Sequence, residues 1–120
     1  MLIQMFIKQI PFAVDSFLNK ETTFVVSGGF DCKVKVTNSF TKKTIRTIEM
    51  SLVLKGFPDI IHKEMVPPNV YDINYYSKYD LMLVSLETGN VVGFKDKMNF
   101  KPVFAIEGHG HRVIRRLYDK

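Results

Sequence analysis

The stretch from Phe24 to Ile48 constrains this chain more than any other part of it. Three short β-prone runs follow one another there. Phe24-Val25-Val26 is a compact apolar run, Val34 and Val36 alternate with Lys33 and Lys35, and Ile45 and Ile48 flank Arg46 and Thr47. Gly28-Gly29-Phe30-Asp31 separates the first two runs, and Asn38-Ser39 follows the second. Apolar runs bounded by Gly, Asn, Asp and Ser read as strands joined by tight hairpins. A strand supplied by Phe6, Ile10, Phe12 and Val14 precedes them, with Pro11 marking a strand start or an edge because it cannot donate to a ladder. Asp15 to Thr23 is polar and reads as a connection that turns at Asn19-Lys20-Glu21. The expectation is a four-stranded antiparallel unit over about 10–48.

A second unit of the same kind starts at Val70. Val70 to Tyr75 alternates as a strand, and Ser77-Lys78-Tyr79-Asp80 turns the chain. Leu81 to Ser85, Val91 to Phe94 and Pro102 to Ile106 are the next three strands. Glu87-Thr88-Gly89-Asn90 is a hairpin signal, with Gly89 available for positive φ. Tyr71 and Tyr75 share strand parity with Ile73 and are expected in the core, leaving Tyr76 and Tyr79 exposed. Between the units, 50–69 reads as an inserted connection, irregular or short-helical. Pro58 and Pro67-Pro68 punctuate it, and Ile60 to Met65 suits one or two helical turns capped by Asp59. After Ile106, residues 108–120 read as the start of a third unit, with Val113 to Tyr118 as its first apolar run.

Charge and cysteine content narrow the function classes. The chain has 120 residues and 46% apolar side chains, enough for a core. Its 17 Lys plus Arg against 12 Asp plus Glu give +5, spread over both halves rather than gathered in a basic arm. Nucleic acid is therefore not indicated as a partner. One cysteine, Cys32, excludes an internal disulfide and fits a reducing, cytoplasmic compartment. The apolar start, Met1 to Ile10, lacks a basic leading region and a small-residue cleavage site, so it reads as part of the fold rather than a signal peptide. No stretch has the length of a membrane-spanning helix, and no membrane contact is expected.

Two units in tandem invite a repeat comparison. Ser27 and Ser85 stand at matching points, 58 residues apart (85 − 27), and the inserted connection absorbs most of the excess over a period of about 40–45. Val36 and the neighbourhood of Phe94 match next, then Ile48 and Ile106. The segment Ser27-Gly28-Gly29-Phe30-Asp31-Cys32-Lys33-Val34-Lys35-Val36-Thr37-Asn38, the set Ser85, Gly89 and Phe94, and the pair Gly108-His109 followed by Val113 resemble blades of the WD-repeat β-propeller family. By that resemblance Asp31 takes the turn-aspartate position and Thr37-Asn38 the place of the Trp-Asp pair. Phe94 takes the tryptophan position, and Gly108-His109 opens a repeat. Neither unit has the full buried histidine–serine–aspartate–tryptophan network of that family. Asp31 must then find its donors in the backbone of its own turn.

The chemistry-bearing residues do not assemble a reaction. His109 and His111 beside Glu107 lack the third and fourth ligands of a closed zinc site, with Cys32 and His62 distant in sequence. Cys32 alternates with Val34 and Val36 and reads as a half-buried structural thiol rather than a nucleophile. No catalytic, metal or cofactor residue is expected, and the chain reads as non-enzymatic. Arg112, Arg115 and Arg116 form the densest basic cluster and Lys42-Lys43-Arg46 the other. With Tyr76 and Tyr79, the arginines are the candidate partner surface.

The expected fold is all-β: two four-stranded antiparallel blades of an incomplete propeller, 1–49 and 70–107, and the start of a third. A ring has typically four to eight blades, so further blades must come from a longer protein or from other chains, and open blade edges favour self-association. The function implied by the resemblance is a protein–protein interaction scaffold. A nucleic-acid-binding β-module using basic loops and a non-catalytic piece of a larger enzyme are the alternatives.

Overall fold

The computed structural model describes residues 13–29, 32–57 and 69–106. These form two four-stranded antiparallel sheets and little helix. Sheet one contains β1 (Ala13–Asn19), β2 (Thr22–Gly28), β3 (Lys33–Asn38) and β4 (Thr44–Glu49). Sheet two contains β5 (Val70–Tyr76), β6 (Leu81–Leu86), β7 (Val91–Lys95) and β8 (Lys101–Ile106). Both are meanders in which spatial order follows chain order. A helix, α1 (Met50–Lys55), leaves β4 directly and buries Met50 and Leu54, which lie one turn apart on its inner side. The helix expected at Ile60–Met65, and its cap Asp59, lie outside the described residues.

The first strand differs from expectation. Asp15 to Asn19 belongs to β1 instead of a connection, because alternation survives its polar residues: Ala13 and Phe17 point into the core while Val14 and Leu18 face out. The turn at Lys20-Glu21 holds, with Lys20 in the left-handed region at φ 58. Gly89 takes φ 94 in the β6–β7 hairpin, the use expected of it.

The inner faces of the two sheets share one core. Phe17, Phe24, Val26, Val34, Val36 and Ile48 from sheet one meet Ile73, Met82, Val84, Val92 and Phe94 from sheet two. Cys32, on the same face as Val34, is 1% exposed and so fully rather than half buried. An aromatic chain crosses the seam: Phe17 lies 5.5 Å from Phe24, 5.6 Å from Tyr75 and 6.0 Å from Phe100 between ring centroids. Phe100 in turn meets Phe94 edge-on at 6.1 Å. Phe100 holds φ 51, a costly conformation for a bulky side chain, and burial of its ring to 3% exposure offsets that cost.

Two hydrogen bonds donated by β5 amides fix how closely the sheets approach. The Val70 amide donates to the Gly29 carbonyl at 2.8 Å, and the Tyr75 amide donates to Asp15 Oδ2 at 2.6 Å. Gly28 makes the first approach possible. A Cβ there would stand 2.6 Å from Val70 Cγ1 and 2.8 Å from Val70 Cβ, so only glycine leaves room.

The outer faces are unalike. Sheet one turns Ser16, Thr23, Ser27, Lys35 and Thr37 outward, with Lys33 bridged to Glu49 at 3.4 Å. Sheet two turns Leu81, Leu83 and Val91 outward, and these are buried with Tyr76 against Phe104 and Ile106. Strand β6 is therefore buried on both sides along its whole length. Gly93 lies beneath Phe104, whose ring would come within 2.4 Å of a Cβ at that position.

Tyr75 links strand and turn. Its hydroxyl donates to Asp80 Oδ1 at 2.9 Å, and Asp80 closes a single 3-10 turn (Ser77–Tyr79) with φ 47. Desolvation, then the hydrogen bond and charge of Asp80, push the Tyr75 hydroxyl up to about 12 from its ordinary 10.0. The fold thus favours the protonated phenol. Its contribution is complete below pH 10 and disappears as pH rises through about 12. Thermal melts between pH 9 and pH 12 are expected to fall more steeply for the parent chain than for Tyr75→Phe, which has no proton to lose.

Candidate interaction surface

The residues singled out in the sequence do not converge on one point. Ser27 and Ser85 do correspond. Each is near the end of the second strand of its sheet, paired with Val14 and Lys35 in one case and with Asp72 and Val91 in the other. Both face outward, and Ser85 is buried at 4% exposure.

Aligning the sheets on these serines places Val36 with Val92, Thr37 with Gly93 and Asn38 with Phe94. Phe94 is an inner-face residue, 1% exposed in the shared core, on the opposite side of the sheet from Ser85. The two side chains therefore share no network. Ile48 faces inward opposite Val34, whereas Ile106 faces outward opposite Val91, so Ile106 corresponds to Thr47. These shifts come from unequal connection lengths, β2–β3 being longer than β6–β7 and β3–β4 shorter than β7–β8, while the bulges after Val36 and after Gly93 occur in both sheets and cancel. Asp31, Gly108 and His109 lie outside the described residues, as do His62, Glu107 and His111.

The tyrosine expectations change too. Tyr76 is buried at 5% exposure, not a surface residue, because β5 runs one residue further and the outer face it joins is apolar. Tyr71 is 61% exposed rather than in the core. A bulge between Val70 and Asp72 makes Tyr71 the extra residue of the strand and breaks the parity that linked it to Ile73. Tyr79 is 41% exposed, as expected, with Lys78 Nζ 5.6 Å from its ring centre. Arg112, Arg115 and Arg116 lie outside the described residues.

One surface element was not picked out as a site in the sequence. At the tip of the β3–β4 hairpin, Phe40 is 88% exposed beside Lys42 and Lys43. Asn38 Oδ1 accepts from the Phe40 amide at 2.9 Å and from the Thr41 amide at 3.1 Å, while the Lys42 amide donates to the Asn38 carbonyl at 2.7 Å. The available signal was Asn38 itself, a residue that bonds its own turn, followed by an aromatic where polar residues are usual.

Among the described residues, no three His, Cys, Asp or Glu side chains gather as a metal-binding group. Nor is any helix among them long and apolar enough to cross a membrane. No family model matches this chain, and no curated protein matches it.

Proposed function

We propose that this chain is a non-enzymatic protein-interaction scaffold built from two blades of a WD-repeat-like β-propeller. The observation that carries the reading is architectural. Two consecutive four-stranded meanders pack inner face to inner face, with their first strands β1 and β5 adjacent along the seam. Radial repetition of such sheets is how a propeller is built. The motif residues add little, since Ser85 and Phe94 lie on opposite faces.

The reading makes the chain dependent on neighbouring blades. Size-exclusion chromatography with light scattering is expected to show association of the isolated chain at micromolar concentration. A monomer with a sharp, cooperative melt at every concentration tested overturns it. Structure determination of the associated form is the sharper test. It should place β1 and β5 innermost around an axis of four or more sheets, and a closed two-sheet sandwich would exclude the propeller.

A further inference from the structure

The connections at one end of both sheets bring together an unusual set of side chains. The β1–β2, β3–β4, β5–β6 and β7–β8 turns all lie there, because alternate turns of a meander share an end and β1 and β5 run alongside each other. Three contacts hold the turns together. The Ser39 amide donates to the Thr23 carbonyl at 3.1 Å, Lys97 Nζ donates to the Leu18 carbonyl at 2.8 Å, and the Arg46 guanidinium lies 6.0 Å from the Phe100 ring centre.

This end is rich in lysine. Lys20, Lys42, Lys43 and Lys78 are exposed on the turns. Lys95 and Lys101 face each other directly across β7 and β8, a like-charge pairing that is unfavourable without an anion nearby. The acids on these turns, Glu21, Asp80 and Asp96, are outnumbered by the lysines, and Asp80 and Asp96 accept from the Tyr75 hydroxyl and from the Asn99 amide nitrogen at 2.7 Å rather than from a lysine. No described ion pair neutralises these lysines. Above them projects Phe40, with Leu18 also 57% exposed. The hydrogen bonds to Asn38 hold the Phe40 turn in shape before any partner arrives, which lowers the cost of ordering it on contact.

From this juxtaposition we propose that the hairpin-tip end of the molecule docks on an anionic lipid bilayer surface, Phe40 entering the headgroup boundary while the lysines meet lipid phosphates and carboxylates. A projecting ring surrounded by long basic side chains matches a layered partner, with anionic groups above an apolar interior. A nucleic acid offers the anions but buries Phe40 only against an unstacked base. This is peripheral contact and needs no spanning segment. It departs from the expectation of no membrane contact, and it does not depend on the propeller reading.

The chain contains no tryptophan, so Phe40→Trp supplies a single reporter at the tip. Vesicles of three parts phosphatidylcholine to one part phosphatidylserine are expected to sediment the chain at low salt and to blue-shift the emission of the Phe40→Trp variant. Phosphatidylcholine vesicles should do neither. Phe40→Ala should weaken binding about tenfold. Exchanging both Lys42 and Lys43 for Ala should weaken it about twentyfold or more, with near-complete loss in high salt. These side chains are exposed, so the variants should keep the parent's circular dichroism. The proposal is overturned if the anionic vesicles bind no better than neutral ones, or if Phe40→Ala binds as well as the parent. It is also overturned if a single-stranded oligonucleotide or an acidic peptide binds at physiological salt and shifts the emission more than the vesicles do.

Discussion

Phe17→Ala is expected to destabilise the chain by about 3–5 kcal/mol, and to melt both sheets in one transition. The ring is 3% exposed and touches aromatics from both sheets: Phe24 on its own, and Tyr75 and Phe100 on the other side of the seam. Truncation therefore opens a cavity where neither sheet can close it alone. Domains of this size hold only about 5–15 kcal/mol in total, so the variant should be largely unfolded at modest urea concentrations. Phe17→Leu keeps much of the apolar volume and should lose clearly less. Urea titrations followed by far-ultraviolet circular dichroism decide the matter. If Phe17→Ala leaves the midpoint within error of the parent, the seam is not the shared core described above.

The second large effect should come from Gly28→Ala, at about 1–3 kcal/mol. The added methyl group would lie inside the contact distance of Val70, and both atoms it meets sit close to the β5 backbone rather than at the end of a flexible side chain. The sheets must separate locally, which strains the bond from the Val70 amide to the Gly29 carbonyl. Val70→Ala alone should also cost stability, because Val70 is fully buried. Together the two substitutions should cost less than the sum of the singles, since each makes room for the other. Strict additivity in that double-mutant cycle would show that the clash is not what makes glycine necessary.

The strand pattern was legible where alternation and turn chemistry agreed. Lys33-Val34-Lys35-Val36 declares both its conformation and its buried side, and Glu87-Thr88-Gly89-Asn90 declares its hairpin. Two physical causes hid the rest. Irregular pairing changes parity and register without any marker in composition: a bulge takes Tyr71 out of the core, and unequal hairpin lengths set Ile48 and Ile106 on opposite faces. Burial on both faces was overlooked although Leu81-Met82-Leu83-Val84 carries its signature, a continuous apolar run with no polar alternate. Parity sets Tyr76 on the face away from Ile73, and that outer face is itself apolar and buried. The candidate surface was less legible than the fold. Phe40 sits in a turn, and its exposure follows from how Asn38 folds that turn back on itself.

The carboxylate of Asp15 accepting from the Tyr75 amide spans sixty positions of chain, whereas every turn within either sheet closes over a few residues. Short closures are entropically cheap and long ones cost more. The meanders can therefore form early and independently, while the seam waits for a slower docking step. Perturbing Asp15 should then slow folding as well as speed unfolding, as for contacts made during the rate-limiting step. For some part of every folding event, two half-finished sheets would present their bare inner faces to other molecules. In a crowded solution, the dwell time of that undocked state, more than the equilibrium strength of the finished seam, would set how often copies exchange sheets with one another.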